Sequence, residues 1–158
     1  MTIVDALLTA IQSSSFARSI TKSNHLVIAG LQIVHVFGFL LLLTSLLLMS
    51  LRLLGLALRR HGIPQVTREP ARLFWAGLSL AVISGTLMFI TGTKHYFYNA
   101  AFDAKMLLLF VAVLVQIVVF RTVAAREAPR PILAKLVVAI SLVLWFGIAA
   151  AGRAIGFV

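Results

Sequence analysis

The chain has 158 residues, 61% of them hydrophobic and 11% charged, with a mean hydropathy of +1.08, a composition that excludes an ordinary water-soluble globular domain. Fourteen Lys and Arg against four Asp and Glu give a formal charge of +10, but the basic residues sit between apolar runs, where they act as topology signals and not as a nucleic-acid footprint. Cysteine is absent, which removes disulfides, thiolate catalysis, Cys-ligated zinc and iron–sulfur clusters.

In chain order, residues 1–23 come first as an amphipathic interfacial helix. Ile3, Val4, Leu7, Leu8 and Ile11 repeat at helical spacing, while Asp5, Gln12 and Ser13, Ser14, Ser15 interrupt the pattern. Thr2 and Asp5 have capping-box spacing, and the segment is too polar to cross a bilayer. No basic residue precedes its apolar part, which argues against a secretory signal.

Residues 24–158 read as a four-helix transmembrane domain with helices at about 25–58, 72–94, 102–124 and 131–157. The first carries only the ionisable His35 between Leu26 and Leu51. At about 1.5 Å per residue it exceeds a hydrocarbon core of about 30 Å, so it must tilt or protrude. The second runs from Leu73 to Thr93 and ends in Lys94, His95, Tyr96, Tyr98 and Asn99. The third opens near Phe102 with Lys105 one turn inside, and the fourth is entered at Pro129 and Pro131 with Arg153 near its end. The fold class is therefore all-α, an integral membrane four-helix bundle with an N-terminal interfacial amphipathic helix.

Arg52, Arg59, Arg60, Arg68 and Arg72 surround the first connection, and Arg121, Arg126, Arg130 and Lys135 the third. Both connections should be cytoplasmic, leaving both termini on the periplasmic side. Gly77, Ala81 and Gly85 on the second helix, and Gly147 with Ala151 and Gly152 with Gly156 on the fourth, form small-residue grooves. Packing of the bundle itself is the first use of such grooves, and a homo-oligomer or complex interface the second.

Polar and ionisable groups inside membrane helices are costly and are the functional candidates. They are His35, Gln32, Lys105, Gln116 and Arg153, with His25 and His95 at the outer boundary. His25, Gln32 and His35 share one face of the first helix, a face that should point into the bundle. A neutral His35 bonded to Gln32 or Ser84 is the structural reading of that histidine. Lys94 reads as a snorkelling residue, whereas Lys105 is held within the membrane region and, with Arg153, forms a cationic rim.

A cationic rim beside buried histidines suits a flat apolar ligand with anionic or carbonyl groups. Haem b, with His35, His25 or His95 on the iron, is the first candidate and a quinone hydrogen-bonded by His35, Gln32 or Lys105 is the second. Equal counting from the helix ends puts Ser84, Gln116 and Trp145 opposite His35, with no second histidine at that depth; Met88, a small molecule or a second copy would have to complete haem ligation. No Gly-rich phosphate loop, carboxylate pair, Ser–His–Asp order or His-Glu-x-x-His motif is present. A transporter or channel lacks an intramembrane carboxylate or polar stripe.

The series His35-Val36-Phe37-Gly38, Leu51-Arg52-Leu53-Leu54-Gly55-Leu56-Ala57-Leu58-Arg59, Ser84-Gly85-Thr86-Leu87-Met88-Phe89, Tyr98-Asn99-Ala100-Ala101-Phe102-Asp103-Ala104-Lys105-Met106 and Ala151-Gly152-Arg153-Ala154-Ile155-Gly156-Phe157 covers nearly the whole chain. In this order it resembles the bacterial membrane proteins of domain-of-unknown-function family 6644, which implies a four-helix inner-membrane fold and no established activity. Ser50 stands where an acidic residue often precedes the Leu-Arg-Leu-Leu-Gly motif, and Arg121 where a histidine often ends the third helix. A fainter likeness is to the membrane protoporphyrinogen oxidase and copper-resistance D groups, in which His35 and Lys105 would hold the early histidine and later lysine.

The expected function is a multi-pass bacterial inner-membrane protein that binds haem b or a quinone and passes electrons to a periplasmic redox protein. The rival is a non-catalytic membrane subunit or scaffold that packs with partner helices. The partners expected are the lipid bilayer and a second chain of one of these kinds, not nucleic acid.

Overall fold

The computed structural model describes residues 3–22, 25–56, 63–122 and 131–157. Among them the chain is all-α, with no strand: α1 Ile3–Gln12, α2 Ser15–Lys22, α3 His25–Leu53, α4 Ile63–Thr91, α5 Thr93–Phe97, α6 Ala100–Thr122 and α7 Pro131–Ala154. Four stretches are long and apolar enough to cross a membrane, Leu26–Leu53, Arg68–Thr91, Ala100–Arg121 and Ile132–Ala154. The protein is a multi-pass membrane protein. Exposed side chains such as Ile83, Leu107, Phe110 and Val143 suit lipid contact, since a bilayer makes no demand for a polar surface.

The second span ends at Thr91 with α5 as a separate helix, and the fourth ends at Ala154, short of the expected 157; three further differences from the sequence expectation have local causes. The single N-terminal helix is two, because Ser13 and Ser14 serve a helix end better than a helix interior. The Ser14 hydroxyl accepts the Ala17 N–H at 3.2 Å and caps α2, and the Arg18 Nε donates to the Ser13 carbonyl at 2.6 Å. The Thr2 half of the expected capping box lies outside the described residues.

The first transmembrane helix stops at Leu53, short of residue 58, because Gly55 takes φ +69°. The Gly55 N–H donates to the Arg52 carbonyl at 3.0 Å and the Leu56 N–H to the Leu51 carbonyl at 2.9 Å, the paired bonds of a Schellman stop. A Cβ on Gly55 would meet nothing within 4 Å, so Gly55→Ala should cost only the left-handed backbone penalty, about 1 kcal/mol. The expected result is a small fall in thermal midpoint in detergent with ligand binding unchanged.

The third difference is α4, which begins at Ile63 instead of near residue 72 and contains Pro70. Proline there donates no backbone hydrogen bond, and the exposed Arg72–Glu69 ion pair at 2.8 Å lies beside it. The Gly77, Ala81 and Gly85 groove is used within the chain. A Cβ on Gly77 would lie 2.6 Å from the Gly38 carbonyl oxygen and 2.8 Å from the Leu42 amide nitrogen, so the α3 and α4 backbones touch, as small residues permit.

α6 and α7 form a second hairpin, and the two hairpins meet chiefly where α3 passes α7. Phe74 of α4 joins them by edge-on contacts with Phe120 of α6 at 5.5 Å and Trp145 of α7 at 5.3 Å between ring centroids. Leu42, Leu46, Leu78, Ala112 and Ile148 complete this dry core. The close packing lies below this ring cluster and along α3 and α4. Above the cluster, towards α5, the hairpins part.

The N-terminal pair packs against this α5 end. Leu8 and Ala17 are buried there, and the Tyr98 hydroxyl donates to Asp5 Oδ1 at 2.5 Å. That hydrogen bond raises the pKa of the exposed Tyr98 phenol above its ordinary value, because ionisation would remove the donor.

Candidate functional site

Where the hairpins part they enclose a cavity of about 650 Å³ that opens to the surroundings. Trp145, Phe39, Leu42, Leu78 and Ile148 form its floor, Phe89, Phe102 and Tyr96 its outer aromatic wall. The Phe89 and Phe102 rings stack at 5.4 Å. Burial raises the Tyr96 pKa. An apolar pocket with a few convergent polar groups is the usual form of a small-molecule site.

His35 is the fixed polar group. Its Nδ1 lies 2.8 Å from the Ala81 carbonyl oxygen and 3.2 Å from the Ser84 hydroxyl, which itself donates to the Leu80 carbonyl at 2.7 Å. A carbonyl only accepts, so Nδ1 carries a proton and donates it to Ala81. The other ring nitrogen, Nε2, then offers a lone pair, and the Lys105 ammonium faces it at 3.5 Å. Gly85 makes room for this arrangement: a Cβ there would come within 3.0 Å of His35 Cε1. Gly152 faces Lys105, whose Nζ would lie at ordinary contact distance, 3.5 Å, from an added Cβ.

The sequence-derived candidates divide clearly. His35 and Lys105 are brought together. Gln32, His95 and Arg153 also border the cavity but are exposed at its outer rim, and the Arg153 guanidinium lies 4.7 Å from the Phe157 ring centroid. Of the expected cationic pair, both line the cavity, Lys105 turned inward to the histidine and Arg153 exposed at the rim. The His25 side chain lies outside the described residues, as do Arg59, Arg60, Arg126 and Arg130.

Of the two bonds expected for His35, the structure has that to Ser84, while Gln32 is exposed on the next turn. Gln116 is not opposite His35. It lies below the ring cluster, fully buried, where its Oε1 accepts from Ser141 at 3.4 Å. Sequence reading missed the Ala81 carbonyl, which no side-chain pattern reveals, and it took Gly85 for helix packing when it makes space for His35. It also missed the role of Asn99, which caps α6 by accepting the Ala101 N–H at 3.0 Å and ties it to α7 by donating to the Ile155 carbonyl at 3.3 Å.

Among the described residues no three His, Cys, Asp or Glu side chains gather as a metal site. For haem, His35 Nε2 would have to reach iron, yet the Lys105 ammonium lies on that side of the ring. A cation that already donates to the ligand nitrogen opposes a second cation there.

Residues 10–158 match the model of a family described as being of unknown function, DUF6644. The chain belongs to that family. The DUF6644 match takes in all four membrane helices and both His35 and Lys105. No curated protein and no solved structure matches the chain.

Proposed function

We propose that this DUF6644 protein binds the head group of a 1,4-quinone or its quinol from the bilayer and presents it to a redox partner on the periplasmic side of the bacterial inner membrane. The observation that carries the reading is the His35–Lys105 pair at 3.5 Å in an apolar cavity. An ammonium has donors only, and it can donate to a quinone carbonyl oxygen; the Nε2 lone pair can accept from a quinol hydroxyl. One pair thereby serves both oxidation states. On oxidation the quinol gives two electrons to the partner and its two hydroxyl protons leave by the polar rim to water, with Nε2 accepting a hydrogen bond from the hydroxyl it faces.

The basic inner connections support an orientation with both termini periplasmic, which puts the cavity mouth on the partner's side. The Gly77 and Gly85 groove packs against α3 of this same chain, the use first expected of it; a scaffold that binds partner helices is the second reading.

The test is to purify the protein in mild detergent, extract it with organic solvent and record its visible spectrum. The expected result is quinone at near one per chain and no Soret band. A Soret band with reduced α and β bands, and no extractable quinone, would sink the proposal in favour of haem b.

A further inference from the structure

The cavity has openings of two chemical kinds. Its outer rim is polar, with Gln32, His95 and Arg153 all exposed. The other opening is on the flank of the bundle, between α4 and α6. Val82 and Thr86 of α4 and Met106 of α6 line the cavity, yet Val82 is 46% and Met106 41% exposed and Thr86 is exposed too. A residue that borders a cavity and also faces outward marks a window.

This window is framed. Above it the stacked Phe89 and Phe102 rings join α4 to α6 at 5.4 Å, and below it Phe74 and Phe120 do so at 5.5 Å. Between the two aromatic bridges the helices are not held by close backbone packing, unlike α3 against α4. The window belongs to the membrane spans Arg68–Thr91 and Ala100–Arg121, so acyl chains, not water, lie outside it.

We infer that the α4–α6 seam is a lateral portal for a long isoprenoid chain: the ligand is a prenylated quinone whose head lies at His35 and Lys105 and whose tail leaves through Val82, Thr86 and Met106 into the lipid. This rests on the quinone reading of the cavity. A pocket of about 650 Å³ is of the size that encloses a drug-sized molecule, so a chain of several prenyl units must pass out of it. The seam offers apolar side chains to that chain, whereas the outer rim would expose it to Arg153 and Gln32. Entry from the side also spares the ligand a passage through water, which costs free energy for every methylene exposed.

The test uses menadione, which has the naphthoquinone head and no chain, and its tetraprenyl homologue. Binding of each is measured to the wild-type protein in nanodiscs and to Val82→Phe and Met106→Phe, with Val143→Phe on the exposed flank of α7 as control. The expected result is that either window variant weakens the tetraprenyl homologue by about tenfold or more relative to menadione, with the control binding both ligands as the wild type does. Equal binding of both ligands by both window variants overturns the portal. Loss of menadione together with its homologue in both variants also overturns it, because the seam would then be part of the head pocket. Failure of the wild type to bind either ligand refutes the quinone reading instead.

Discussion

Separate replacement of His35 by alanine and of Lys105 by alanine should each reduce bound 1,4-quinone to the background of empty nanodiscs, with helix content and elution volume as in the wild type. Lys105→Ala removes a hydrogen bond from a charged group, worth about 1.5–3 kcal/mol, and His35→Ala leaves the quinol hydroxyl without its acceptor in a low-dielectric site, at about 1–3 kcal/mol, so affinity should fall by about fivefold to a hundredfold. The two variants should differ in kind. Without Lys105 the site loses its donor to a quinone carbonyl, and the oxidised form is the more affected. Without His35 it loses the acceptor at Nε2, and the quinol suffers more. Binding titrations under air and under dithionite read both effects. Quinone affinity unchanged in both variants would show that the pair is only a buried structural contact between α3 and α6.

Gly77→Ala is expected to lower the thermal midpoint more than alanine at any other described glycine of the four membrane helices. The new carbon would lie 2.6 Å from the Gly38 oxygen and 2.8 Å from the Leu42 nitrogen. Both are backbone atoms of α3 and neither can rotate away, so the helices must separate. Overpacking of this sort costs about 1–3 kcal/mol, sometimes more. Since Ala81 lies one turn further along α4 and supplies the carbonyl that fixes His35, separation should also weaken quinone binding. Gly30→Ala is the control on α3, because its Cβ would meet nothing within 4 Å and alanine is the better helix former. The comparison is made by thermal unfolding in one detergent. Equal midpoints for the two variants would mean that the α3–α4 backbone contact contributes little.

Much of this architecture was legible in the sequence, because an apolar run long enough to cross a bilayer has few alternatives. Its ends were less so. The Gly55 stop depends on a backbone angle, and the early start of α4 runs through Pro70, Glu69 and Arg72, which local signals assign to a loop. The pairing of His35 with Ser84 followed from matching levels on two helices that form one hairpin. The same count failed across the hairpins. It set Gln116 opposite His35, whereas the structure puts Lys105 there. Counting from the ends assumes helices that start level, but α3 has 29 residues and α6 has 23, and α6 enters only after the short α5. A lysine and a histidine on helices distant in sequence leave no joint mark on a single chain, and neither does a carbonyl acceptor.

Trp145 is 0% exposed and forms part of the cavity floor, while Trp75, the only other tryptophan, is 36% exposed on α4. The two indoles therefore report on different surroundings, one on the cavity and one on the lipid. A 1,4-quinone accepts an electron from an excited indole at short range, so an occupied cavity should darken the Trp145 emission and leave that of Trp75 largely intact. The floor that shapes the site is thus also an optical gauge of its filling, readable without a label in the purified protein in nanodiscs.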